Sequence, residues 1–220
     1  MGSIIFDLDG TLADTSRDLI AAANHCLVAR GIAPLDPVAD ALTAFRGGRA
    51  MLRLGLERAG RLEEALVDED YPLLLSAYEE GIDRETVLYP GVIAALDTLG
   101  AAGYRLGICT NKPEGLARLL LDRLGVLDRF AALYGADTLP VRKPDPEHLF
   151  ATIRDVGGTP DNAILIGDTV TDRTTGARAG VPVVLVAFGP EGEGIARLEP
   201  DALLSHYDEL PAIAGRMLRL

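Results

Sequence analysis

Apolar residues along this chain follow two rhythms. In one, short unbroken runs rich in Val, Ile and Leu are bounded by turn residues. In the other, apolar positions recur every three or four residues. The unbroken runs at 3–7, 104–110, 132–135, 163–168 and 182–188 predict short buried strands. Between the later runs, residues 113–124, 145–156 and 170–179 carry helical spacing. Pro113 and Pro146 suit the first turn of a helix, where a missing N–H costs nothing. Strand–helix alternation of this kind predicts an α/β fold, a Rossmann-like parallel sheet with helices on both faces.

One stretch breaks the alternation. From residue 14 to residue 83 the apolar positions fall only at helical spacing: Leu19, Ala22, Ala23, Cys26 and Leu27, then Met51, Leu52, Leu54 and Leu56, then Leu62 and Leu66, then Leu73, Leu74, Ala77 and Tyr78. Four helices are expected there, because the stretch is too long for a loop. The domain organisation is therefore a core of residues 1–13 and 84–220, with a small α-helical cap of residues 14–83 inserted after the first strand. Tyr89-Pro90-Gly91 lies back in the core. Such a cap would sit over the sheet tip and act as a lid that excludes water.

The 220 residues suffice for a core domain plus a smaller insert. With 48% hydrophobic and 25% charged residues the chain has an ordinary soluble profile. No apolar run approaches the ~18 residues of a bilayer span, and no basic segment precedes an apolar one as in a secretory signal. Cys26 and Cys109 lie in apolar surroundings without metal-type spacing, so both are read as reduced, buried residues of a cytoplasmic protein. The net charge of −12 argues against a nucleic-acid or anionic-membrane surface. It leaves room for a local positive pocket that takes a small anion. A monomer or a homodimer is compatible with all of this.

The candidate chemistry sits at the ends of the predicted strands. Asp7 and Asp9, two residues apart at the end of Ile4-Ile5-Phe6, would point to the same side. Such a pair repels and wants a cation or a shared proton. Asp pairs are also common in water-facing turns, but here a buried strand delivers them to a sheet tip, where α/β proteins place ligands. Three further groups end in the same way: Thr110-Asn111-Lys112, Lys143-Pro144-Asp145-Pro146, and Gly167-Asp168-Thr169-Val170-Thr171-Asp172. Singly, each reads as a helix cap or a solvated side chain. Together they bring three carboxylates, a hydroxyl and an ammonium to one edge, and three acids around one point suit a hard divalent cation, Mg²⁺ best.

In this order the motifs resemble the haloacid dehalogenase superfamily of phosphohydrolases, over essentially the whole chain. Leu88-Tyr89-Pro90-Gly91, Thr110-Asn111-Lys112-Pro113, Lys143-Pro144-Asp145-Pro146, Ala179-Gly180-Val181-Pro182 and Phe188-Gly189 are similar to its phosphoglycolate phosphatase branch, which carries a small helical cap. The resemblance implies that Asp7 is the nucleophile that forms an aspartyl-phosphate, and that Asp9 protonates the leaving alkoxide and later accepts a proton from water. It implies Mg²⁺ held by Asp7, the Asp9 backbone carbonyl and Asp168, with Asp172 close enough to orient Asp168 or a metal-bound water. Lys143 would offset the phosphate charge, and Thr110 with Asn111 and the following N–H groups would hold a phosphoryl oxygen. An acid at position 9 favours phosphate-ester cleavage over dehalogenation, because halide leaves without a proton.

The segment Phe45-Arg46-Gly47-Gly48-Arg49 is the candidate specificity loop, and the family usually shows glycine where Arg46 stands. Arg46 or Arg49 would reach the carboxylate of the substrate with its forked donors. A turn with two solvated arginines is the equally open reading. His25, His148 and His206 are dispersed and suit core or surface roles. The Gly189–Gly194 segment carries two glutamates, which make it a poor phosphate cradle, and Lys112 is left between a role beside Thr110 and plain solvation. The expected activity is Mg²⁺-dependent hydrolysis of a small phosphorylated metabolite, 2-phosphoglycolate first. A nucleoside monophosphate, a sugar phosphate, or a phosphoglucomutase-like phosphotransfer are the alternatives. A non-catalytic binding protein is the remaining class, disfavoured because no member of the motif set is missing.

Overall fold

The computed structural model describes residues 1–219. The chain divides into two compact units, one of residues 1–13 and 88 onward, the other of residues 14–87. In chain order the elements are β1 (Ser3–Phe6), β2 (Ala13–Asp14), α1 (Ser16–Ala29), α2 (Ala41–Ala44), α3 (Gly48–Arg58), α4 (Glu64–Glu80), β3 (Val87–Leu88), α5 (Val92–Ala101), β4 (Arg105–Cys109), α6 (Glu114–Arg123), β5 (Ala132–Tyr134), α7 (Pro146–Asp155), β6 (Ala163–Gly167), α8 (Val170–Ala179), β7 (Val183–Val186), β8 (Ala202–Leu204) and α9 (Leu210–Met217).

The first unit is built on a six-stranded sheet of order β5-β4-β1-β6-β7-β8, parallel throughout. Its strands read as continuous apolar runs because both faces are covered. Ile5, Leu165, Val183 and Leu185 turn to one face and pack with Leu149 and Ile153 of α7 and with Val156 just past its end. The alternate residues Ile4, Phe6, Ile164 and Ile166 are equally inaccessible on the other face. From β1 the chain builds outward first through β4 and β5, then on the opposite side through β6, β7 and β8. That reversal is the switch point where open parallel sheets leave a crevice beyond their carboxyl ends.

The second unit is helical: α1, α3 and α4 pack on one another, and α2 lies against α1 and α3. Leu27, Met51, Leu52, Leu56, Val67, Leu74 and Tyr78 form its interior. The Leu66 and Leu73–Tyr78 groups, expected as two helices, lie on the single helix α4, which runs through Pro72. An interior proline removes a helix hydrogen bond and reads as a break, whereas here the apolar face on either side of it holds the helix together. Asp18 on α1 accepts from the N–H groups of Glu85 and Thr86 and from the Thr86 hydroxyl, so it pins the segment that leads out of the unit. Between the units' sequences, β2 and β3 form a separate two-stranded sheet.

The core strands end one or two residues short of their apolar runs. Asp7, Thr110 and Asp168 fall just past β1, β4 and β6, respectively, and so lie in the loops at the sheet tip.

Candidate active site

Three strand ends and one loop converge. Asp7 follows β1, and its Oδ1 accepts from the Leu8 N–H at 2.7 Å. Asp168 follows β6, and its Oδ1 accepts from the Thr11 hydroxyl at 3.0 Å. Asp172 is the third residue of α8, where it completes a reciprocal cap with Thr169. Its Oδ2 accepts from the Thr169 hydroxyl at 2.6 Å and from the N–H groups of Thr169 and Asp168. Carboxylate oxygens of Asp7, Asp168 and Asp172 lie within 4.8 Å of one another, all buried. Only glycine fits as the last residue of β6, since a Cβ on Gly167 would stand 2.4 Å from the Asp172 side chain.

The lysine of the Lys143-Pro144 loop enters the same space. Its Nζ lies 2.6 Å from Asp172 Oδ1 and 3.1 Å from Asp7 Oδ2, with 3% of the residue exposed. Burial works against the Lys143 ammonium, yet Asp172 and Asp7 outweigh it and hold the group charged well above its ordinary range. Burial raises the Asp7 carboxyl to about 6, with Asp172 and Asp9 adding to the rise and Lys143 and the Leu8 N–H opposing it. Burial likewise lifts Asp168 well above the usual carboxylate range, reinforced by Asp172 and Asp7. Three buried acids against one lysine leave excess negative charge. Their hard oxygens are the donor set a divalent metal takes, and such an ion would reverse both rises. The cluster therefore fits a divalent cation.

The remaining candidates distribute as follows. Thr110 is buried, its N–H donates to the Tyr134 carbonyl at 2.9 Å, and its Oγ1 accepts from the Lys112 N–H at 3.2 Å. Asn111 donates to the Lys143 carbonyl at 2.9 Å and so ties the β4 loop to the lysine loop. Asp9 does not join the three acids through its carboxylate. Its Oδ1 pairs with Lys112 Nζ at 2.8 Å. Lys112 is thus a buried participant that the sequence left undecided. The bend after β4, in which the Lys112 N–H turns back to Thr110 Oγ1, brings the lysine there.

Arg46 and Arg49 belong to the helical unit. Arg46 is exposed in the turn before α3. Arg49 bonds Asp68 at 2.5 Å and lies over the Tyr71 ring at 4.4 Å, and is engaged there within its own unit. His148 is fully buried beneath the site, its Nε2 2.9 Å from the Gly135 carbonyl and its Nδ1 3.4 Å from Cys109 Sγ. Burial depresses the imidazole and raises the Cys109 thiol to about 12, so the pair is neutral and structural.

A doubly wound sheet that gathers acids, a lysine and a hydroxyl at its switch point defines an α/β enzyme of the phosphoryl-handling kind. The family model described as haloacid dehalogenase-like hydrolase matches residues 4–186, and the chain belongs to that family. It is 41% identical over 218 residues to a phosphoglycolate phosphatase of Mesorhizobium japonicum, covering 98% of this chain and 96% of the relative. To a phosphoglycolate phosphatase of Agrobacterium fabrum it is 38% identical, covering 97% and 93%. Among solved structures it resembles "a predicted phosphoglycolate phosphatase" of Haemophilus somnus, with a TM-score of 0.84, 25% identity and 97% of each chain covered. The chain is a phosphatase and acts on a small phosphate-bearing substrate. Among the described residues, no helix is long and apolar enough to cross a membrane.

Proposed function

We propose that this phosphatase is a Mg²⁺-dependent phosphomonoesterase that converts 2-phosphoglycolate to glycolate and phosphate through an aspartyl-phosphate on Asp7. The observation that carries the reading is the placement of Asp7 at the tip of the central strand, 3.1 Å from the buried Lys143 ammonium and grouped with Asp168 and Asp172. The names of the relatives support the choice of substrate.

Mg²⁺ bound by Asp7, Asp168 and the Asp9 carbonyl would supply the positive charge that lets two anions approach. Asp172 orients this set, since it bonds both the Asp168 N–H and Lys143. An oxygen of Asp7 attacks phosphorus, and the bond from phosphorus to the glycolate oxygen breaks. Asp9 gives the departing alkoxide its proton, and Lys112 fixes the direction of that carboxyl. Thr110 and the N–H groups after it hold phosphoryl oxygens, while Lys143 offsets their charge. Water then attacks phosphorus, Asp9 takes its proton, and inorganic phosphate leaves with the Asp7 carboxylate restored. Most of the acceleration comes from positioning and charge neutralisation, which is what phosphoryl transfer asks of a protein.

In the same reading the helical unit, residues 14–87, is a cap that chooses the substrate. Arg46 is the better candidate for the carboxylate of the substrate, because Asp68 already holds Arg49. The test is phosphate release from a panel of phosphate esters, with kcat/KM highest for 2-phosphoglycolate, abolished by a chelator and restored by Mg²⁺. A higher kcat/KM for a nucleoside monophosphate or sugar phosphate would replace the substrate, and turnover that survives chelation would remove the metal.

A further inference from the structure

Tyr207 belongs to a C-terminal segment that carries none of the motif residues. Its ring is fully buried against Phe188, with centroids 5.4 Å apart, and Phe188 packs in turn on Tyr89 at 5.0 Å. The hydroxyl leaves this apolar cluster and donates to the Thr11 carbonyl at 2.8 Å, across 196 residues of sequence. Thr11 is itself inaccessible, and its side chain donates to Asp168 Oδ1 at 3.0 Å.

The turn from Leu8 to Ala13 is held through its side chains by the Lys112–Asp9 pair and the Thr11–Asp168 bond. Its own bonds run inward, from the N–H groups of Thr11, Leu12 and Ala13 to the Leu8 carbonyl. Its backbone carbonyls at Thr11 and Leu12 are taken by the aromatic cluster. The Tyr89 N–H donates to the Leu12 carbonyl at 3.0 Å, and Tyr207 takes the Thr11 carbonyl next to it. Beside them, a Cβ on Gly189 would come within 3.1 Å of the Gly10 carbonyl and 3.7 Å of the Asp168 Cβ. The Phe188-Gly189 pair therefore lies directly against the turn and the acid together. Burial pushes the Tyr207 hydroxyl far up, with Tyr89 and Asp168 adding to the effect, so it stays protonated and donates at every working pH.

We propose that Tyr207 is a positioning residue for the metal-binding acid Asp168: by holding the Thr11 carbonyl it fixes the turn whose Thr11 hydroxyl aims the Asp168 carboxylate. The inference rests on the proposed role of Asp168. It adds a link that no strand-tip motif contains, from the C-terminal segment to the central strand. Side chains that orient metal-binding carboxylates act on metal affinity as well as on rate.

The experiment compares Tyr207→Phe, Thr11→Val and the double variant in the full chain. Phenylalanine keeps the ring and its packing and removes only the hydroxyl. Mg²⁺ alone is titrated into metal-free protein by calorimetry, and kcat and KM for 2-phosphoglycolate are measured separately. Tyr207→Phe is expected to weaken Mg²⁺ binding and lower kcat about tenfold each, with KM little changed. The double variant should be no worse than Thr11→Val alone, because the two act in series. Thr11→Ser, which keeps the hydroxyl, should restore most of the loss. The inference is overturned if Tyr207→Phe binds Mg²⁺ and turns over like the parent, if the losses add in the double variant, or if the variant merely melts earlier or does not fold. A parent protein that neither binds Mg²⁺ nor releases phosphate would instead overturn the proposed function.

Discussion

In the sheet unit, the charges that matter are buried together. Asp7, Asp168, Asp172 and Lys143 share one space, each at most 9% exposed, with the lysine paired to both Asp7 and Asp172. In the helical unit the pairs are mixed: Arg53–Glu64 and Arg49–Asp68 lie out in water with side chains 40–67% exposed, while Asp70 and Asp40 are buried under Arg30 and Arg58. Exposed pairs of that kind contribute little and are readily exchanged. Buried ones cannot lose a partner without stranding a charge. In the proposed reading the difference between the acid cluster and the Arg46–Arg49 segment separates two tasks: the chemistry rests on buried charges, and the choice of substrate rests on a turn where Arg46 is exposed.

The sharpest way to break this comparison is to remove Asp9, at the edge of the buried set, and Lys143 within it. Asp9→Ala should lower kcat by about 10²–10⁴-fold with KM nearly unchanged. A loss divided equally between rate and substrate binding would remove Asp9 from the acid–base role. Lys143→Met should lower kcat by roughly 10²–10³-fold. It also strands Asp7 and Asp172, so urea unfolding of the metal-free protein should show a loss of about 3 kcal/mol or more. Wild-type stability in that variant would mean that the lysine is a spectator.

Much of the fold was legible in the sequence. The apolar runs predicted five of the six strands of the main sheet, because a strand covered on both faces has no polar alternation to confuse it. The motif acids were legible because they stand directly after those runs. β8 was not, since Ala202-Leu203-Leu204 is short and half exposed at the sheet edge. The helix α5 was passed over as well, although Val92, Ala95, Leu96 and Leu99 are buried at helical spacing. What remained unreadable was pairing over distance. Nothing local in Thr110-Asn111-Lys112 says that the lysine meets Asp9, 103 residues earlier. Nothing in the C-terminal segment says that Tyr207 reaches Thr11. Such contacts follow from the strand order, which the local pattern does not encode.

Acidity sharpens the comparison further. Burial raises the Asp7 carboxyl from 3.8 to about 6 in the metal-free site. Below that pH the group is neutral and cannot serve a cation, and above it the group is an anion. Mg²⁺ affinity should therefore rise with pH through about 6, approaching tenfold per unit on the acid side. Calorimetric titration at pH 5, 6 and 7 measures it, and a flat profile would show that Asp7 is already ionised at the lowest pH. In the helical unit the expected effects are smaller and confined to substrate choice. Arg46→Ala should raise KM for 2-phosphoglycolate about tenfold and spare an ester that lacks a carboxylate, in keeping with the loss of one charge-assisted fork. Arg49→Ala should do less, since that side chain is already held by Asp68 and Tyr71. Equal effects of the two changes on both esters would erase the division between the units.

The central claim is that phosphorus bonds to Asp7 in every cycle. Rapid acid quench of a single turnover with phosphorus-labelled 2-phosphoglycolate, followed by borohydride reduction and peptide mass spectrometry, tests it directly. The account predicts protein-bound label that rises before free phosphate and a homoserine at position 7 after reduction, both absent in Asp7→Asn. Free phosphate appearing at the full rate with no label on the protein, or with label on another residue, would contradict it.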